Sequence, residues 1–170
     1  RVINADGTEA SMCGNGLRTV ARYLGTQNSQ EDFRVQTMYA DLKVQAVADF
    51  AAHVPAYSVE ISPVTFDAQT LGMHANNDAT TIINEKIPAL SADLKFSAVA
   101  VPNPHLIAFV DHDTLVGPEL GRIGEWMNDG KNQIFPDGVN VSFVEVLGPN
   151  SIFVRTFERG VGFTNACGTA

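Results

Sequence analysis

Cysteine is scarce in this 170-residue chain: two occur, Cys13 and Cys167, close to its opposite ends. Two thiols exclude a disulfide-dense secreted scaffold and any four-cysteine zinc site. What remains is one structural staple or a functional thiol pair. Cations are also few, 11 Lys+Arg against 19 Asp+Glu, for a net charge of −8. A phosphate backbone and an anionic membrane both reward clustered cations, so neither nucleic acid nor membrane is expected as a partner. Charged residues make up 18% of the chain and apolar ones 45%, against roughly 25% charged in ordinary soluble domains. Enough apolar surface is present for a packed core. No apolar stretch approaches the roughly 18 residues of a membrane span, and no charged-then-apolar leader opens the chain, so a soluble cytoplasmic protein is expected. The length fits one domain or two small ones. The chain begins at Arg1 rather than methionine and stops at Ala170 just after a motif, the pattern expected of a piece of something longer.

Past a strand-like Arg1–Asn4, a glycine-punctuated stretch leads into residues 17–24, where Leu17, Val20, Ala21 and Leu24 share one helical face and Gly25 is placed to end the helix. From Phe33 the period changes to two. Residues 33–37, 42–48 and 57–61 alternate apolar with polar or small side chains, which predicts a half-buried antiparallel meander. Residues 62–78 hold Pro63, Gly72, Asn76 and Asn77 with little periodicity, placing a domain boundary near residue 66 and dividing 1–66 from 67–170. The second block predicts strands at 80–83, 96–101, 106–110, 139–146 and 152–157. One helix is expected at Asp113–Met127, with Leu120, Ile123, Trp126 and Met127 on its buried side, although Pro118 and the glycines within the span oppose it.

Two clusters carry candidate chemistry. The first, Asn4-Ala-Asp-Gly-Thr-Glu-Ala-Ser-Met-Cys13-Gly14-Asn15-Gly16, lies directly before a helix. A helix start presents unpaired N–H groups and partial positive charge, which stabilise a thiolate and offer donors to a carboxylate. By itself Cys13 reads rather as a small buried cysteine in a glycine-rich turn, cysteine being among the most buried residue types. The second cluster, Phe157-Glu-Arg-Gly-Val-Gly-Phe-Thr-Asn-Ala-Cys167-Gly168-Thr169, sets a carboxylate beside a guanidinium and repeats the Cys-Gly-polar step. Two such loops are what a facing thiol pair requires. One thiolate and one thiol on opposite sides of a carbon can invert it by taking a proton from one face and delivering one to the other. A disulfide between the same residues is the structural alternative.

Four separated motifs then agree on one family. Asn-Ala-Asp-Gly-Thr-Glu-Ala-Ser-Met-Cys-Gly-Asn-Gly-Leu-Arg at 4–18, Asn-Pro-His at 103–105, Phe-Pro-Asp-Gly-Val-Asn-Val-Ser-Phe-Val at 135–144, and Glu-Arg-Gly-Val-Gly at 158–162 with Ala-Cys-Gly-Thr at 166–169 resemble diaminopimelate epimerase. The resemblance implies a cofactor-independent isomerase interconverting LL- and meso-diaminopimelate in lysine and peptidoglycan-precursor synthesis. It implies an α+β fold of two similar domains, each a curled, mostly antiparallel sheet around a central helix, with a small amino-acid substrate in the interdomain cleft. A homodimer stays open. Cys13 and Cys167 become the catalytic pair. Gly14, Asn15, Gly168 and Thr169 become the groups holding the reacting carboxylate. Asn4, Asn103, Asn140, Glu158 and Arg159 bind the distal end, and His105 and Glu158 tune the thiols. By themselves His105 reads as the cap of a strand end, Asn103 as a turn before Pro104, and Asn140 as a polar residue opening a strand.

Three departures stand against the family pattern. Phe163 occupies the place of a family glutamate and is expected to put a large ring close to the reacting centre. Pro102 replaces the glycine before Asn103. Family members extend beyond both ends of this chain, and the isolated piece is expected to lack activity. The alternatives are a proline or hydroxyproline racemase of the same fold, which typically has His in place of Asn15 and no Glu-Arg-Gly step, or an impaired amino-acid-binding homologue. Pyridoxal phosphate is not expected, since Lys43, Lys86, Lys95 and Lys131 lie in no phosphate-cradling setting. Nor is a metal, since His53, His74, His105 and His112 form no helical pair.

Overall fold

A computed structural model describes residues 1–3, 7, 9, 12–37, 40–61, 63–74 and 80–170. The chain falls into two compact units, chiefly Arg1–Pro63 and Val64–Gly168. Both are α+β.

In the first unit, helix α1 spans Gly14–Asn28 and packs against a three-stranded antiparallel meander of β1 (Asp32–Gln36), β2 (Asp41–Ala51) and β3 (Val54–Val59), in that order. Alternation explains β2: Leu42 and Val44 are buried while Asp41, Lys43 and Gln45 face out. Leu17 and Ala21 form the buried stripe of α1, but Val20, expected on that face, is exposed. The helix also runs through Gly25 and ends at Ser29, which takes the left-handed conformation (φ 50°). Gly25 is needed for contact instead: a Cβ there would strike the Tyr57 hydroxyl. The core is small, with Met12, Leu17 and Leu42 buried and Val35, Ala40, Val59 and Ile61 packed around them. The β2–β3 hairpin extends beyond the expected strands, its register shifting between Val47 and Ala51. There the alternation ceases to bury anything, and Phe50 is 89% exposed.

The second unit is a six-stranded sheet in sequence order: β4 (Glu85–Lys86), β5 (Lys95–Val101), β6 (Asn103–Phe109), β7 (Asn140–Gly148), β8 (Ser151–Glu158) and β9 (Gly162–Thr164). All pairs are antiparallel except β6–β7, which is parallel. Its crossover carries the helices, as a parallel pair requires. The single helix expected at 113–127 is two, α2 (His112–Val116) and α3 (Glu119–Asn128). Asp111 caps α2 by accepting from Thr114 N–H at 2.8 Å. Gly117 leaves it in an extended conformation (ψ 160°), and Pro118 precedes the restart, so the turn lacking a Pro N–H falls between the helices. No strand forms at 80–83. Ile82 is buried and accepts from Ala98 N–H, but Asn84 turns left-handed (φ 56°) and strand geometry starts only at Glu85.

Pleating sorts the sheet into two faces. Phe96, Ala98, Leu106, Ala108, Val141 and Phe143 join Leu120, Ile123 and Met127 in one large core, with Phe157 and Phe163 packed on it. Phe157 presses on Gly124, where any Cβ would collide with the ring. The opposite face carries His105, Asn140, Ser142, Thr156, Glu158 and Thr164. Among the described residues, no helix is long and apolar enough to cross a membrane.

Candidate functional site

Cys13 is the N-cap of α1, extended at φ −146° and ψ 95°, and its half-buried Sγ accepts from Gly16 N–H at 3.3 Å. Thiols are weak acceptors, so this contact is worth most when the sulfur is anionic. The positive end of the helix acts in the same direction. A Cβ at residue 16 would stand 3.3 Å from the sulfur, and glycine keeps that approach open. Gly14 is buried, Asn15 is exposed, and Asn15 Oδ1 accepts from Arg18 Nη2. Asn4 lies outside the described residues.

The second unit places its candidates by strand register. Asn103 opens β6 rather than lying in a turn before it, and His105 sits two residues on, on the same face. His105 is directly opposite Asn140, the first residue of β7. Burial pushes the His105 imidazolium down to a pKa of about 4, so the ring is neutral at physiological pH. Asn140 is buried, and its Oδ1 accepts from the Arg159 N–H at 2.9 Å. That bond ties the start of β7 to the Glu158–Arg159 step. Arg159 is exposed, and its Nη1 donates to the Asp137 carbonyl at 3.2 Å. Glu158 ends β8, where its carboxylate accepts from Thr164 Oγ1 at 2.5 Å. Cys167 is half-buried just before a turn at Gly168–Thr169, its carbonyl accepting from Ala170 N–H.

Phe163 does not share the polar face with Glu158 and Thr164. Its ring meets Phe157 edge-on at 5.2 Å between centroids, and the Arg155 guanidinium lies 4.0 Å over it. Strand alternation in β9 turns it toward α3, so within this unit the substitution adds packing and a cation–π contact.

Several organising residues were missed from the sequence. Asn128 at the end of α3 donates to the Gly124 and Val139 carbonyls and accepts from Val139 N–H, clamping the residue before Asn140. Asn132, buried, brackets Phe135 and the Met127 carbonyl in the same way. Gly138 turns left-handed (φ 75°), and a side chain there would crowd Asn128 and Arg159. An asparagine at a helix end carries no signal that sets it apart, whereas the Pro-Asp-Gly step at 136–138 does announce a turn.

Among the described residues no cluster of three or more His, Cys, Asp or Glu side chains is arranged to hold a metal. The first unit provides a thiol on a helix N-terminus. The second, taken by itself, provides a thiol beside a glycine turn and a polar sheet face with one neutral imidazole, one carboxylate and amides, the Arg159 guanidinium lying just past the end of β8. Such groups can bind a zwitterion and exchange protons with it.

Residues 97–170 match the family model described as Diaminopimelate epimerase. The whole chain is 66% identical to the diaminopimelate epimerase of Ligilactobacillus salivarius (strain UCC118), covering 52% of that protein. It is 62% identical to that of Enterococcus faecalis (strain ATCC 700802 / V583) and 55% identical to that of Listeria monocytogenes serotype 4b (strain CLIP80459), again over its whole length and covering 51% of each. The chain thus spans about half the length of the curated relatives it matches. The resemblance to diaminopimelate epimerases carried by the four motifs is therefore a property of the entire chain, from its first motif to its last.

Proposed function

We propose that this protein is a cofactor-independent isomerase that interconverts LL- and meso-diaminopimelate, serving lysine and peptidoglycan-precursor synthesis in the cytoplasm. The observation that carries the reading is end-to-end similarity to diaminopimelate epimerases in a chain whose Cys13 sits on a helix N-terminus. In this reading one thiol, as thiolate, removes the α-proton while the other, protonated, delivers a proton to the opposite face. The roles exchange in the reverse direction. N–H groups around Gly14, Asn15, Gly168 and Thr169 hold the carboxylate of the reacting carbon and stabilise the charge that develops there. Asn4, Asn103, Asn140, Glu158 and Arg159 bind the distal ammonium and carboxylate, Arg159 being suited to a bidentate grip. His105 and Glu158 assist the proton traffic of the thiols.

The test is direct. Full-length protein, dialysed against chelator and given LL-diaminopimelate with no added cofactor, is expected to bring the substrate to an equilibrium mixture with the meso form. No conversion of that substrate, together with turnover of L-proline or hydroxyproline, would instead identify the racemase of the same fold.

A further inference from the structure

His105 on β6, Ser142 on β7 and Thr156 on β8 form a continuous run across three strands, of which only the histidine has so far been given a role. His105 Nδ1 lies 3.4 Å from Ser142 Oγ, and Ser142 Oγ lies 3.1 Å from Thr156 Oγ1. The three side chains are 0%, 1% and 3% exposed, so bulk water does not compete for these bonds. The backbone holds the run in place: Ser142 and Thr156 are directly opposite each other, and His105 is offset from Ser142 by one pleat, its own opposite number being Asn140.

A neutral imidazole has a single N–H, and the bond made by one nitrogen dictates what the other can offer. A serine hydroxyl likewise has a single hydrogen. Ser142 can accept from Nδ1–H and donate to Thr156, which makes Nε2 an acceptor. Alternatively it accepts from Thr156 and donates to Nδ1, which puts the hydrogen on Nε2. The direction of the two hydroxyls therefore bears on the chemical character of Nε2 from the Nδ1 side of the ring. Apolar side chains at 142 and 156 would leave the sheet equally well paired but remove this control.

We infer that Ser142, backed by Thr156, is a positioning residue that biases the ring orientation and the tautomer of His105 through its Nδ1 side. The consequence for catalysis rests on the proposed function, in which His105 assists a thiol and must present Nε2 in a defined state. The tautomer itself does not depend on that reading.

The experiment uses full-length protein labelled with ¹⁵N-histidine, with the His105 ring resonances assigned by their loss in His105→Gln. Ser142→Ala, Thr156→Val and Thr156→Ser are compared with wild type. Wild type and Thr156→Ser are expected to show one tautomer with the same ring shifts. Ser142→Ala is expected to show a changed or mixed tautomer, and Thr156→Val a smaller change in its population. Epimerisation kinetics should follow, with kcat for Ser142→Ala lowered by about tenfold while KM stays within about twofold, the mark of a lost alignment rather than lost binding. Ring shifts unchanged in both Ser142→Ala and Thr156→Val would overturn the inference. Altered shifts in a protein with no epimerase activity would uphold the positioning role while removing the proposed function.

Discussion

The two units secure their candidate groups in different ways. In the first, a short apolar cluster around Met12, Leu17 and Leu42 supports one helix, and the candidate thiol Cys13 depends on the local geometry of that helix's first turn. In the second, a broad core of fully buried Phe, Leu, Ile and Val side chains fixes six strands, and the candidate groups are assembled by register across four of them. A local cap tolerates loss of distant packing better than a register does. Strand pairing is an all-or-none device, because a one-residue slip sends every side chain to the other face.

The largest effect should come from emptying the second core. Phe143→Ala removes a ring with no solvent exposure and is expected to cost about 3–5 kcal/mol. Urea unfolding followed by fluorescence of Trp126, the single tryptophan, reads this unit directly because the indole packs against that core. Leu17→Ala, in the shallower first cluster, is expected at about 2 kcal/mol, the low end for such truncations, followed by far-UV circular dichroism because Trp126 belongs to the other unit. Equal losses at the two sites would erase the contrast.

A comparable effect should follow pH. The folded His105 titrates at about 4 against an ordinary 6.5, so the folded state binds fewer protons than the unfolded one. Stability from this group is complete above pH 6.5 and is lost as pH falls from there through 4. The loss is about 3 kcal/mol. His105→Gln should flatten that part of the stability–pH curve. A wild-type curve that is flat between pH 6.5 and 4 would contradict the burial of a neutral ring. The smallest effect is expected at the exposed hairpin of the first unit, where Phe50→Ser should change stability by less than about 0.5 kcal/mol. A larger loss would show that Phe50 is covered in solution.

Local patterning was readable in the sequence, and long-range consequence was not. The stripe of Leu17 and Ala21 and the alternation of Leu42 and Val44 announced α1 and β2 because each depends only on near neighbours. Gly25 misled because a glycine near a helix end looks like a stop, whereas its role is to admit Tyr57 from β3. Strand β9 has three residues, too few for a period, and it exists because β8 pairs with it. The family motifs named His105, Asn140 and Glu158 without showing what holds them. Asn128, Ser142, Thr156 and Thr164 emerge only when β6 to β9 are laid side by side.

The central proposal is that one thiol removes the α-proton while the other delivers a proton to the opposite face. Full-length wild type, Cys13→Ala and Cys167→Ala should be incubated with diaminopimelate in deuterium oxide, and label followed at the α-carbon. Wild type is expected to incorporate solvent deuterium as it epimerises, and both variants to lose that exchange by at least about a hundredfold. Exchange at the wild-type rate in either variant would contradict the two-thiol account.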